Sequence, residues 1–388
     1  MDFSKPVSSG KSTIDISTDK ITTAIRIPDD IPLITDGTLF ISDGVMHILP
    51  GRHSYYTTAD ANGNVLGITA YSNSTGYQTN LTNKVLNFNL QSQKWDIQDS
   101  GIEDKIQNAA VAFDAENQVG WYYSGMKAFD PYTYGFWRYS TATLKTSQDL
   151  YHLDRGKGTP TKVITDSSST GDVVKGELVY IKGVGKAGIL VLIGGMADVS
   201  GVQVVSTLYI LYSSRPNLTN ALLQWPMKKV HVFDIAAKAW FGQSTTTQSG
   251  LYPVGRIDFC SVVASAEDNS SHNIYIYGGS GSSLTMENDI WILTLPAFHW
   301  VPVYPTGNEV NSDIRRASGH QCHKVHEKHM VAYRGDTLNH TCDNNKGLGK
   351  FQGMAIYDMS SLEWTTEVEL ENGKYLVPQV LVEIIGGE

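Results

Sequence analysis

Three features of this 388-residue chain predict an all-β fold, specifically a six-bladed β-propeller closed by strands from both termini. An apolar strand running into a glycine doublet, or its remnant, recurs along the sequence. Each copy is followed by a hydrophobic strand that ends near Trp. The two terminal segments, residues 11–28 and 375–388, complement one another as the outer and inner halves of a single unit.

Taken in order, the first unit (38–100) holds Ile48 to Gly51 and closes with Lys84 to Trp95. The second (105–155) is the most degenerate. Ala109 to Phe113 and Val119 to Gly125 read as its inner strands, its doublet has become Ser124-Gly125, and Tyr151 takes the place of Trp in an outer strand near 144–153. The third (175–243) pairs Ile189 to Gly195 with Val230 to Trp240. The fourth (256–304) is the clearest, with Ile274 to Gly279 and then Asp289 to Trp300. The fifth (318–367) joins Met330 to Gly335 with Gly353 to Trp364. In the sixth, Tyr375 to Gly387 supplies two inner strands, and Ser12 to Ser17 with Ile21 to Ile27 supply the outer ones. The markers Gly51, Gly125, Gly195, Gly279, Gly335 and Gly387 leave no room for a separate domain, so residues 1–388 read as one.

A repeat of roughly 50 residues, with two glycines after its second strand and an aromatic in its fourth, is the mark of kelch-type propellers. A lone blade cannot bury both faces, so blades stack and their cores merge. Glycine is required where the backbone bends against its neighbour, and the Trp fills the space between blades.

A formal net charge of −9 with scattered basic residues argues against nucleic acid and against an anionic membrane surface. No apolar run reaches the roughly 18 to 20 residues of a membrane span. Five Asn-x-Ser/Thr sequons, at Asn73, Asn80, Asn217, Asn269 and Asn339, lie mostly in polar segments between strands and point to N-glycosylation and secretion. Cys322 in an inner strand of the fifth unit and Cys342 in the loop after its second strand are expected to form a disulfide within one blade. Cys260 reads as a small, unpaired core residue.

The runs Arg256 to Gly279 and Gly319 to Trp364, with GHQC, TCD and GMAIYDMSSLEW, resemble fungal kelch-repeat ectodomains, as does the terminal VPQVLVEIIGG. The resemblance covers the last four units well and the first two loosely. It implies a secreted or cell-surface propeller. Met1 opens directly onto a polar stretch, so the chain reads as an excised ectodomain, with membrane contact expected only through an anchor it lacks.

His320, His323, His326 and His329, with His340, form a conspicuous cluster. Strand alternation sends His320 and His323 to opposite faces, and His326 and His329 flank a turn and are expected to face solvent, so no metal site and no cofactor is expected. A copper-radical oxidase of the galactose oxidase kind shares the fold, but no Tyr-Cys-His set maps onto this chain. Nucleophile elbow, phosphate loop and dinucleotide fingerprint are absent, and catalysis is not expected.

The segment Trp121 to Tyr139 holds nine aromatics in 19 positions. Trp121, Tyr122 and Tyr123 read as core. Tyr132, Tyr134, Phe136, Trp137 and Arg138 follow in a loop and are the ligand-binding candidates, since such side chains suit either sugar stacking or a protein hot spot. The alternative is a plug folded over the second blade. The expected partner is a protein or a neutral glycan. The function classes are an extracellular recognition scaffold, a lectin-like propeller for wall polysaccharide, and, remotely, the copper oxidase.

Overall fold

The computed structural model describes residues 84–99, 106–114, 116–117, 119–124, 173–196, 226–281, 286–303, 317–333, 354–369 and 373–386, with short strand segments elsewhere before residue 164. By its internal contacts the chain forms two compact units. One comprises 1–24, 176–196 and 223–388, the other 25–175 and 197–222.

Among the described residues, four four-stranded antiparallel sheets run in chain order from first strand to last, and one five-stranded sheet adds to four such strands an edge strand from earlier in the chain. The first is Thr38–Ser42, Val45–Leu49, Lys84–Asn89 and Lys94–Asp99. The second is Ala110–Asp114, Val119–Tyr123, Leu150–Asp154 and Pro160–Val163. Its boundary therefore lies beyond 155. Leu150–Asp154 is the third strand, hidden as such because the fourth carries no Trp to mark it. The third sheet is Glu177–Ile181, Ile189–Ile193, Lys229–Asp234 and Ala239–Ser244. The fifth is Gln321–Val325, His329–Tyr333, Met354–Asp358 and Glu363–Thr365. The fourth sheet, Cys260–Ser265, His272–Tyr277, Ile290–Leu295 and His299–Val303, gains an edge from Thr246–Thr247. That strand leaves the third blade and pairs parallel to the fourth blade's outermost strand.

The Trp positions share one register. Phe88↔Trp95, Phe233↔Trp240, Leu293↔Trp300 and Tyr357↔Trp364 face each other across the outer hairpin of their blades. In each hairpin the residue two before Trp adopts a left-handed conformation (Gln93, Lys238, Phe298, Leu362). In three of them an Asn or Asp side chain caps the turn: Asn89 accepts from Gln91 and Ser92, Asp234 from Ala237, and Asp358 from Ser360 and Ser361. The rings then reach a neighbouring blade. Trp300 is fully buried and donates from Nε1 to the Met227 carbonyl at 2.9 Å. Trp364 packs edge-on against Tyr277 of the fourth blade at 5.1 Å and Tyr357 of its own at 5.0 Å. Two buried clusters result, one filling the junction of blades three and four and the other that of four and five.

The glycine doublet does what close approach demands. Gly278 sits at φ +63°, where an added Cβ would lie 2.7 Å from both the Ala317 carbonyl oxygen and His320 Cε1 of the next blade. The following N–H, that of Gly279, donates to Ala317 O at 2.8 Å, and Gly195 repeats the bond to Arg256 O at 3.0 Å. Two residues before each inner strand, Asn108, Lys175, Asp258 and Gly319 are left-handed. Lys175 donates to Asn108 O at 3.0 Å in one unit, and Gly319 to Asp258 O at 2.7 Å in the other.

The C-terminal segment corrects the expectation. Residues 379–385 form a helix, Gln379–Ile385, and not an inner strand. Its apolar run is rich in β-branched residues, yet Val377, Leu381 and Ile384 pack on the core at i, i+4, i+7 spacing, which is the period of a helix face. Pro378, which has no N–H to give a ladder, stands at its N-cap. Just before it, the buried Tyr375 phenol accepts from Asn273 Nδ2 at 3.0 Å and lies 2.9 Å from the Tyr275 hydroxyl, fixing the segment to the fourth blade. The N-terminal strand Thr13–Asp15 does meet the C-terminal part of the chain. It pairs antiparallel with Glu367–Glu369, just after the fifth blade, with Ile14 opposite the buried Val368. Residues 21–27, read as a second outer strand, lie outside the described residues. No helix among the described residues is long and apolar enough to cross a membrane.

Candidate functional site

In every described blade the connections between first and second strands and between third and fourth are short: 43–44, 115–118, 182–188, 266–271 and 326–328 for the former, and 90–93, 155–159, 235–238, 296–298 and 359–362 for the latter. The connections between second and third strands are longer: 50–83, 124–149, 194–228, 278–289 and 334–353. Antiparallel order places these longer segments together at one end of each blade. Loops on a rigid frame are where recognition concentrates.

Several of these loops are closed at the base. In the second blade Ile106–Gln107 pairs with Met126–Lys127, which pairs with Lys145–Thr146. The aromatic segment between 127 and 145 is therefore bounded by a three-stranded collar, which follows the pair Tyr123↔Leu150 of the blade. Trp121, Tyr122 and Tyr123 are buried in that blade, as core residues should be. Tyr132, Tyr134, Phe136, Trp137 and Arg138 lie outside the described residues. The degenerate doublet keeps its function by other means. Ser124 takes the left-handed conformation (φ +59°) and its hydroxyl accepts from the Val173 N–H at 2.9 Å.

The fourth blade's loop is held by Arg256, a residue that sequence reasoning passed over. Its guanidinium is fully buried and donates to Gly278 O (3.0 Å), the first residue of the loop, and bidentately to Asp289 (2.5 and 3.0 Å), the last. Its Nε donates to Val254 O at 3.1 Å, and Trp291 Nε1 adds a bond to Asp289 at 2.7 Å. Charge-assisted bidentate pairs of this kind are the strong ones. The short ladder of Arg256–Ile257 with Ser280–Gly281 and the bridge Ser280↔Met286 finish the clamp, and Ile34–Thr35 with Arg52–His53 repeats the ladder in the first blade. The positions equivalent to Arg256 in the other blades are apolar (Ile34, Ile106, Val173 and Ala317), so the repeat gave no signal for it.

Between blades four and five the structure overturns the expected cysteine pairing. Cys322 is bonded to Cys260, not to Cys342, and the bond joins the innermost strands of neighbouring blades with a Cα–Cα distance of 5.4 Å. Cys260 belongs to the face of its strand that packs on the fifth blade, together with Val262 and Ala264. Alternation thus aims it at Cys322, whereas a reading confined to one blade had no way to pair it. Cys342 lies outside the described residues.

The histidines do not converge. His320 is 3% exposed, bonds Tyr277 O through Nε2 at 3.1 Å and stands edge-on to the Tyr277 ring at 4.8 Å. Burial pushes its pKa down to about 4. His329 was expected to face solvent and is instead buried, with Nε2 3.7 Å from Asp358 Oδ2, in a cluster where Lys328 bridges Asp358 and Glu369 at 3.1 and 3.0 Å. It turns inward because strand Met354–Asp358 pairs directly beside it, His329↔Asp358. His323 is exposed and His340 lies outside the described residues.

A half-buried acid at a blade junction was also missed. Glu177, first residue of the third blade's inner strand, accepts from the Ser261 hydroxyl of the fourth at 2.8 Å. Burial, with a smaller contribution from the Asp258 charge, raises its pKa to about 8, against the lowering effect of the Ser261 bond. Glu367 and Glu369 are exposed residues of strand Glu367–Glu369. Of the sequons, Asn269 is described, exposed in the 266–271 turn with φ +58°; Asn73, Asn80, Asn217 and Asn339 lie outside.

No known family model matches the chain. A kelch repeat-containing protein from Arthroderma benhamiae is 29% identical over 252 residues, covering 58% of this chain and 32% of that protein, so the chain spans about a third of its relative's length. The solved structure of YjhT aligns with a TM-score of 0.51 over 89% of this chain and 87% of that one, at 12% identity, a likeness of fold alone. With the repeated sheets, the Trp register and the glycine doublets packed on the next blade, these likenesses establish that the chain is an all-β propeller of the kelch-repeat kind.

Proposed function

We propose that this propeller is a non-catalytic recognition scaffold of the extracellular space or cell surface, binding a protein partner through the long connections of its blades. The observation that carries the reading is the collar that bounds residues 128–144. The two ends of a segment with this many aromatic residues are brought together by two consecutive ladders. The described polar groups support a structural role. Arg256 closes a loop, and Glu177 and His320 join neighbouring blades. A disulfide between blades and an exposed Asn269 sequon fit an oxidising, glycosylating compartment.

The second reading, a carbohydrate-binding propeller, is favoured by the same rings, because Tyr and Trp faces stack on sugars as readily as they anchor proteins. One comparison separates the two. The glycosylated chain and its Tyr134→Ala/Trp137→Ala variant are applied to an array of chitin, glucan and mannan oligomers and, in parallel, used to pull down cell-surface proteins under crosslinking. Protein capture lost in the variant, with a silent array, supports the scaffold. Array binding lost in the variant supports the lectin. Binding that survives the double change removes this loop as the site.

A further inference from the structure

We propose that the Cys260–Cys322 disulfide is the oxidised form of a metal site: on reduction, the two thiolates and His320 hold one thiophilic cation of the Zn²⁺ class. One ligand atom from each of the three residues lies within 4.8 Å of the other two, and the three come from two neighbouring blades. Cys260 and His320 are each 3% exposed and Cys322 is half-buried. The imidazole is already arranged as a ligand. A carbonyl can only accept, so the 3.1 Å bond to Tyr277 O places the proton on Nε2 and leaves the Nδ1 lone pair free. Nδ1 is buried without a hydrogen-bond partner. A backbone carbonyl that takes one ring N–H while the other nitrogen faces a metal is the usual second-shell device of metal-bound histidine. An orphaned buried nitrogen otherwise costs about 1–3 kcal/mol.

The step balances. A dithiol donates two electrons and two protons, the Sγ–Sγ bond breaks, and the reductant leaves as its cyclic disulfide. The ion then displaces both thiol protons and forms two metal–sulfur bonds and one metal–nitrogen bond. The sulfurs must part to roughly 3.8 Å, the separation of two thiolates on tetrahedral zinc, which side-chain rotation from a Cα–Cα distance of 5.4 Å allows. Two sulfurs and one imidazole select soft or borderline ions over calcium or magnesium, and the fourth position is left to water. A low-molecular-weight disulfide reverses the process: it is reduced to two thiols, the protein disulfide re-forms and the ion is released. This inference uses none of the long loops, and it concerns the chain in its reduced state, whereas the recognition reading takes the chain with this disulfide formed.

The test uses the full chain, reduced with dithiothreitol, desalted under argon and titrated with Co²⁺, then with Zn²⁺ in competition. The expected result is about one equivalent of cobalt with a thiolate charge-transfer band and tetrahedral visible bands, both absent from the oxidised chain. Cys342→Ser retains them, Cys260→Ser and Cys322→Ser lose them, and His320→Gln weakens binding on the order of tenfold or more. Alkylation of the wild-type chain gives an answer independent of how the variants fold: zinc protects Cys260 and Cys322 of the reduced chain from iodoacetamide. No cobalt spectrum from the reduced wild type, or alkylation of Cys260 and Cys322 at the same rate with and without zinc, overturns the proposal.

Discussion

Two titratable residues at blade junctions set opposite pH limits. Glu177 has its folded pKa raised from 4.5 to about 8, so its contribution is complete below about 4.5 and is lost as pH rises through about 8. His320 has its folded pKa lowered from 6.5 to about 4, so its contribution is complete above about 6.5 and is lost as pH falls toward 4. Between about 4.5 and 6.5 the two slopes oppose each other, and thermal stability should be flat there and decline on either side. Glu177→Gln should flatten the decline above pH 6.5 and leave the acid side unchanged; differential scanning fluorimetry across pH reads both. At this scale the sequence revealed little. Nothing in ELVYI marks Glu177 for a bond across a blade junction, because its partner, Ser261, belongs to another blade. For the same reason Cys322 was assigned the nearer cysteine when its partner was across a blade junction.

Elements were far more readable. The second strands fall where the repeat places them, as do Trp95, Trp240, Trp300 and Trp364 and the doublets Gly194-Gly195 and Gly278-Gly279, since periodicity and glycine are local signals that blade packing reinforces. The doublet can be tested directly. Gly278→Ala meets both a positive φ and a backbone oxygen at 2.7 Å and should destabilise the chain by about 3 kcal/mol. Gly373→Ala, whose added carbon finds only ordinary contacts from 3.7 Å outward, should change stability little. A shift in the guanidinium midpoint for the first and none for the second is the expected pair of results. Two elements escaped the reading. The fourth strand of the second blade, Pro160–Val163, carries no aromatic flag, and the terminal helix was disguised by β-branched residues that favour strands when tertiary contacts do not decide otherwise.

For the molecule as a whole, the described junctions unite blades by covalent, polar and apolar means at once: a disulfide, backbone bonds from doublet to next blade, and buried aromatic clusters. Cys322→Ser opens a loop with sequence separation 62 and should lower unfolding free energy by about 4 kcal/mol in the chain-entropy model. Cys342→Ser should leave it unchanged, and a non-reduced peptide map should recover the Cys260–Cys322 link. Such firm junctions have a consequence for what the scaffold can carry. Because the aromatic segment leaves and returns through the paired residues Lys127 and Lys145, the blade senses only that the two ends meet. Doubling the length of what hangs between them costs only about 0.6 kcal/mol in closure entropy. The collar is thus a socket: foreign recognition segments can be spliced between these two lysines, and the propeller beneath would fold as before.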